Sequence, residues 1–220
     1  MTLETYPEAC RAVADAGHEI GHHGWAHVAP SKLSLPEERD ALVRANEAIA
    51  ELTGRSARGY RSPSWDLSPH TVDLLLEHGF VYDSSMMGHD YLPYRARSSD
   101  VVNTDAPVAF GRETELIEMP ISWSLDDYPQ FEIGRQPGLR PTAGVLENWL
   151  DDFLYMTSHL DWGILTYTCH PYVIGRGHRL LMLERLIKAL AERGARFSTM
   201  EDVAAEYAER DAVPVSEGRL

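Results

Sequence analysis

Eleven residues, GHEIGHHGWAH from Gly17 to His27, hold four of the chain's ten histidines. Neutral imidazole binds zinc through one ring nitrogen, and a spacing of four lets two rings meet one ion on a helix or tight loop. His23 and His27 have that spacing, and so do His18 and His22. If HEIGHH is a strand, alternation sends His18, Ile20 and His22 to one side and Glu19, Gly21 and His23 to the other. His23 then stands at the strand end, beside the loop that carries His27. More polar groups follow later strand candidates: Arg61, Asp83, the adjacent Asp126 and Asp127, and His170. In α/β barrels the loops at the C-terminal ends of strands carry the active site. These residues are therefore expected to gather on one face, with His23, His27, Arg61 and His170 sharing a hollow.

The elements that must position them alternate between helix and strand. Residues 4–16 suit a helix stopped by Gly17. In SLPEERDALVRANEAIAELTG, Ser34 and Glu37 fit a capping box, Pro36 suits the first turn and Gly54 ends the helix. ARGYRSP is the next strand; Ser68 caps PHTVDLLLEHG, and FVYDSS follows as a strand. After a loop of roughly thirty residues, long for a compact domain, ELIEMPI is a strand running into SWSLDDYP. Thr142 opens a helix through His159, and GILTYTCHP is a β-branched and aromatic strand. HRLLMLERLIKALAERG is an amphipathic helix with leucines at spacings of three and four. ARFST is the next strand, and the helix MEDVAAEYAER closes a single domain over residues 1–210, followed by a polar tail at 211–220. About six strands between helices indicate α/β architecture with a parallel sheet.

At 220 residues and 44% hydrophobic content the chain has the composition of a globular protein. Its net charge of −14 argues against nucleic acid and anionic membrane surfaces, which attract Lys and Arg. Cys10 and Cys169 are too few for a disulfide framework. No basic segment followed by an apolar run opens the chain, and no window approaches a membrane span. A cytoplasmic location is expected.

GHEIGHHGWAH resembles the second signature motif of the NodB-homology polysaccharide deacetylases, carbohydrate esterase family 4. The motif is His, a hydroxyl residue, two further residues, then His; here Gly24 replaces the hydroxyl residue. YRSPSW resembles the third motif, ISWSLDDYP the fourth and LTYTCHPYVIGRGHR the fifth. The wording of the last two is similar to the branch that includes peptidoglycan deacetylases, allantoinase-like proteins and cyclic imidases. The resemblance implies a distorted (β/α) barrel and a metal-dependent hydrolase of C–N amide bonds. It makes His23 and His27 the metal ligands, with zinc as the default ion and cobalt or manganese as alternatives. It makes Arg61, Asp126 and His170 catalytic, His170 as general acid, and puts Pro63, Trp65, Trp123 and Asp127 at the substrate. Structural alternatives stand beside several of these: a buried structural histidine at 170, core packing of Trp65 and Trp123, and Asp126 capping a turn before Pro129.

The family's first motif, an aspartate pair on the first barrel strand, has no counterpart in the chain. One such aspartate completes the metal site and the other is the general base. The barrel is therefore expected to lack its N-terminal strand, as a truncated chain or a shortened paralogue would, and to expose open sheet edges that a homo-oligomer could cover. Two imidazoles without a carboxylate imply weak metal binding, and a missing base implies a rate lower by about 10²–10⁴-fold. Three readings follow: a deacetylase acting on N-acetylated glycan, an allantoinase- or imidase-like amidohydrolase acting on a small cyclic amide, and an inactive binding or assembly paralogue.

Overall fold

The computed structural model describes residues 1–132 and 140–212. In chain order, helices α1 (Thr2–Thr5), α2 (Pro7–Asp15) and α3 (Leu35–Thr53) precede strand β1 (Gly59–Tyr60) and helix α4 (Thr71–Glu77). Strands β2 (Tyr82–Asp83), β3 (Tyr94–Ser98) and β4 (Arg112–Glu118) follow. Helices α5 (Asp127–Phe131), α6 (Thr142–His159), α7 (Pro171–Ile174), α8 (Gly177–Glu192) and α9 (Met200–Asp211) come last. These elements form two compact units. One holds Met1–Met86, Pro93–Met119 and the segment from Ser198 onward; the other holds Met87–Leu92 and Pro120–Phe197.

The first unit is built on a sheet of order β1-β2-β4-β3, in which β1, β2 and β4 run parallel and β3 is antiparallel to β4. His22 extends it by one parallel bridge to Tyr60. Successive registers align His22, Tyr60, Asp83, Glu118 and Tyr94 in one row across the sheet. Helix α3 covers this sheet through Leu42, Ala45, Ile49 and Leu52, a spacing of three and four that makes one buried stripe. Its start is the expected capping box of Ser34 and Glu37, and Gly54 ends it at φ 81°. Leu42 and Ile49 pack with Leu74 and Leu75 of α4 and with Tyr60, Phe80 and Leu116. Each such buried side chain is worth about 1.5–3 kcal/mol.

In the second unit α6 and α8 supply Val145, Trp149, Phe153 and Met156 against Met182, Leu186 and Leu190. Leu125, Phe131, Val173 and Ile174 join the same core, which is how the short helices α5 and α7 are anchored. Among the described residues no helix is long and apolar enough to cross a membrane.

The α/β class agrees with the sequence; several element expectations need correction. The helix expected over 4–16 is two helices, because Pro7 starts a new one at its first turn. HEIGHH and GILTYTCHP are each reduced to a single bridge, at His22 and Thr168. A ladder needs an extended partner, and the segment facing Thr168 turns into a 3₁₀ turn and then α5 right around Asp126. ARFST forms no strand. The loop expected between FVYDSS and ELIEMPI contains β3, whose residues return antiparallel onto β4. Ser68 does not cap α4, which begins at Thr71; its hydroxyl donates to the buried Glu38 and accepts from the His70 N–H. The polar tail expected from 211 begins inside α9, and residues 213–220 lie outside the described residues.

Candidate functional site

The first cluster follows the His22 bridge in the first unit. His22 is 1% exposed. Its Nε2 lies 3.2 Å from the Leu42 carbonyl, and its Nδ1 accepts from the Gly24 N–H at 3.2 Å. It is therefore a structural histidine that fixes the turn, and burial pushes its pKa down to about 4. The turn places His23 and His27 outward, both exposed, with ring centroids 5.0 Å apart at 73°. His23 Nδ1 is 2.7 Å from the Arg61 carbonyl. A carbonyl can only accept, so Nδ1 carries the proton and the lone pair belongs to Nε2. His27 sits at φ 54°, a left-handed conformation rare outside glycine.

Gly24 also has positive φ, at 70°, and a Cβ there would lie 3.0 Å from Pro63 Cγ. Glycine at this position relieves both the left-handed backbone and a tight contact with Pro63. Gly24→Ser is expected to lower the unfolding free energy by about 1–2 kcal/mol. Urea unfolding measures it, and an unchanged midpoint would show that the turn relaxes. The same contact places Pro63 against the histidine turn. The residue is buried and buttresses that turn. Trp65 is half-buried at φ 54°. Arg61 donates from Nε to the Ser84 carbonyl at 3.0 Å and from Nη2 to Ser84 Oγ at 2.8 Å.

The second cluster lies in the second unit, where the Asp126–Thr168 bridge brings two segments together. Asp127 Oδ1 is 2.7 Å from His170 Nδ1, and Asp127 Oδ2 accepts the His170 backbone N–H at 3.0 Å. Asp127 is 0% exposed, and both of its oxygens are spent on His170. Asp126, expected to be catalytic, is the N-cap of α5; its Oδ1 accepts from the Tyr128 N–H at 2.7 Å and lies 3.7 Å from His170 Nδ1. Asp126 thus caps α5 and also stands beside His170. His170 is a third exposed and is flanked by Tyr128 and Tyr172 at centroid distances of 5.9 and 6.0 Å. These two tyrosines were not singled out from sequence; the aromatic residue closing both DDY and HPY was the available signal. Trp123 is 41% exposed. Arg179, buried on α8, donates to the Val173 carbonyl at 2.8 Å and the Phe131 carbonyl at 3.1 Å. It thereby ties α7, which follows His170, to α5, which begins at Asp127.

Two donor sets come into question for a metal. Asp126, Asp127 and His170 offer ligand atoms within 4.8 Å of one another. Asp126 Oδ1 and both Asp127 oxygens already accept the hydrogen bonds just described. The other set is His23 and His27, of which His23 has its Nδ1 held by the Arg61 carbonyl. A protonated Nδ1 held by a backbone carbonyl is the arrangement that orients an imidazole to ligate through Nε2.

The sequence profile of the polysaccharide deacetylases matches residues 2–82. The peptidoglycan deacetylase of Helicobacter pylori is 34% identical over 225 aligned positions, covering 96% of this chain and 77% of its own length. A crystal structure from Mycobacterium smegmatis assigned to the polysaccharide deacetylases superposes with a TM-score of 0.76 at 31% identity, covering 100% of this chain and 73% of that one. The crystal structure of Puue allantoinase gives a TM-score of 0.74 at 24% identity over 97% of this chain and 66% of its own, a likeness of fold.

Proposed function

The chain belongs to the polysaccharide deacetylase family, and from that premise we propose that it hydrolyses the amide C–N bond of an N-acetylated glycan, giving acetate and an amine on the sugar. The observation that carries this reading is the Asp127–His170 pair, a buried carboxylate 2.7 Å from the Nδ1 of a partly exposed imidazole. Breaking the C–N bond needs a proton on the leaving nitrogen, because an amide anion is too basic to depart. His170, held through Nδ1, presents Nε2 for that transfer, and Asp127 fixes the tautomer and stabilises the imidazolium.

His23 and His27 would hold a divalent metal, zinc by default. Such an ion supplies Lewis-acid polarisation of the acetyl carbonyl. Two imidazoles fill only part of zinc's tetrahedral set, so the affinity is expected to be weak. Arg61 keeps the catalytic place that the family motif gives it, held by Ser84. Trp65 and Trp123 keep the substrate contacts that the family motifs give them.

The test has two arms: zinc titration of the dialysed chain, and acetate release from N-acetylglucosamine oligomers. We expect occupancy below one ion per chain, lost in His23→Ala and His27→Ala. We expect slow acetate release that requires added metal and falls to the protein-free rate in His170→Ala. Release that survives His170→Ala would overturn the reading.

A further inference from the structure

Asp83 and Glu118 stand side by side at the ends of the parallel strands β2 and β4, and both are 0% exposed. Each spends one oxygen on the turn that follows β2. Ser85 Oγ donates to Asp83 Oδ1 at 2.7 Å. The Ser85 and Met86 N–H groups donate to Glu118 Oε1, both at 2.7 Å. The remaining oxygens, Asp83 Oδ2 and Glu118 Oε2, are buried and have no hydrogen-bond partner, and the strand register sets the two carboxyl-bearing residues directly opposite each other. Two ionised carboxylates cannot face one another in a site without water, since neither can donate and their charges repel. A single proton between them resolves both problems.

The turn so held is the one that grips Arg61. Ser84 accepts the guanidinium through its carbonyl and its hydroxyl, and that hydroxyl donates onward to the Met119 carbonyl at 3.3 Å. Ser85 Oγ accepts the Ser62 N–H at 2.8 Å. Arg61 and Ser62 are thus fastened to a turn whose own fastening is the carboxyl pair. The titratable groups beside the pair along the sheet row are Tyr60 of β1, with Arg61 after it, and Tyr94 of β3.

We infer that Asp83 and Glu118 share one proton, and that this acid–carboxylate pair is the brace that positions Arg61 through the Ser84–Ser85 turn. The bracing half rests on the proposed function for its purpose but not for its test. Burial holds the pair's proton above the usual carboxyl range, and the neighbouring Asp83 adds to the cost of ionising Glu118. The native state then binds this proton more tightly than the unfolded chain. Its stabilisation is complete below the ordinary carboxyl pKa and is lost as pH rises through the pair's higher value.

Glu118→Gln and Asp83→Asn imitate the protonated partner, because an amide N–H can donate where the acid O–H did. We expect a protonated-carboxyl band in the infrared spectrum of the native chain at neutral pH. It should be lost in both variants, along with the decline in stability on the alkaline side. In both, the Arg61 Nε–H resonance keeps its position; in Glu118→Ala, or in Ser85→Ala if the former does not fold, it shifts. No band at neutral pH, or a band and alkaline decline that persist in Glu118→Gln, would overturn the shared proton. An Arg61 resonance unmoved in the folded variant would overturn the brace. None of these readouts needs turnover, so a failed acetate assay leaves them standing and identifies the proposed function as the part at fault.

Discussion

Arg179→Met is expected to lower the free energy of unfolding by about 2–5 kcal/mol, measured as a fall in the urea midpoint with an unchanged slope. Replacing a buried charge by an apolar side chain is often neutral or stabilising when its partner leaves as well. Here the partners stay. The Val173 and Phe131 carbonyls, at 2.8 and 3.1 Å from the guanidinium, would be left buried without donors, at about 1–3 kcal/mol each. Methionine can fill the space over the Phe131 ring, where the guanidinium carbon now sits 4.7 Å from the centroid, but it donates nothing. The Glu132 ion pair at 3.4 Å is half-exposed on the acid's side and adds little. Lysine should give an intermediate loss, because one ammonium cannot match the fork of a guanidinium. The same substitution should weaken the Asp127–His170 hydrogen bond, seen as loss of a protected Nδ1 proton signal. A midpoint within experimental error of the native value would show that α5 and α7 are held by their apolar contacts alone.

What the sequence revealed divides along a physical line. The stripe Leu42, Ala45, Ile49, Leu52 and the stripe Met182, Leu186, Leu190 are local patterns, so α3 and α8 could be read directly. The capping of α3 by Ser34 and Glu37 is local too. Parallel strands are different, since their length depends on what partner lies beside them. HEIGHH and GILTYTCHP carry strand composition yet pair at one residue each. The hairpin of β3 was hidden in polar sequence, YRARS, with no partner evident nearby.

The same division runs through the candidate site. The histidine motif was legible because its members are close in sequence, but only long-range packing identifies His22 as buried and His23 as outward. Asp126 and Asp127 are chemically equal neighbours. What separates them is backbone geometry: at φ −107°, ψ 132° Asp126 turns its carboxylate onto the Tyr128 N–H, and the next residue faces His170. Nothing in RSP reveals that Gly24, far back in sequence, lies against Pro63. Glu118 went unread because ELIEMPI is an apolar run whose one inward acid pairs with Asp83 from another strand. Asp83 itself was visible as a polar residue after a strand, without its partner.

Acid should destabilise the metal-free chain through His22 in particular. Its ring is fixed as the neutral form: Nε2–H donates to the Leu42 carbonyl and Nδ1 accepts the Gly24 N–H. Protonation would set an Nδ1–H against that N–H, donor facing donor, in a site that is 1% exposed. Burial is the main cause that takes the pKa from 6.5 to about 4. The unfolded chain therefore takes up this proton as pH falls below the ordinary histidine value, and the native chain resists until the lower one. The unfolded state binds more protons across that window, so stability rises with pH there and is lost as pH drops through it. A difference of this size corresponds to about 3 kcal/mol over the whole window. His22→Gln should remove that part of the slope: its amide can still donate to the Leu42 carbonyl, and it has no charge to gain. Stability at pH 7 and pH 5, measured by urea unfolding with chelator present, should fall by about 2 kcal/mol more in the native chain than in the variant. Equal losses in the two would place the acid sensitivity elsewhere. Because the Gly24 N–H is what the ring holds, the turn bearing His23 and His27 should lose hydrogen-exchange protection in the same pH range, before the α3 core does.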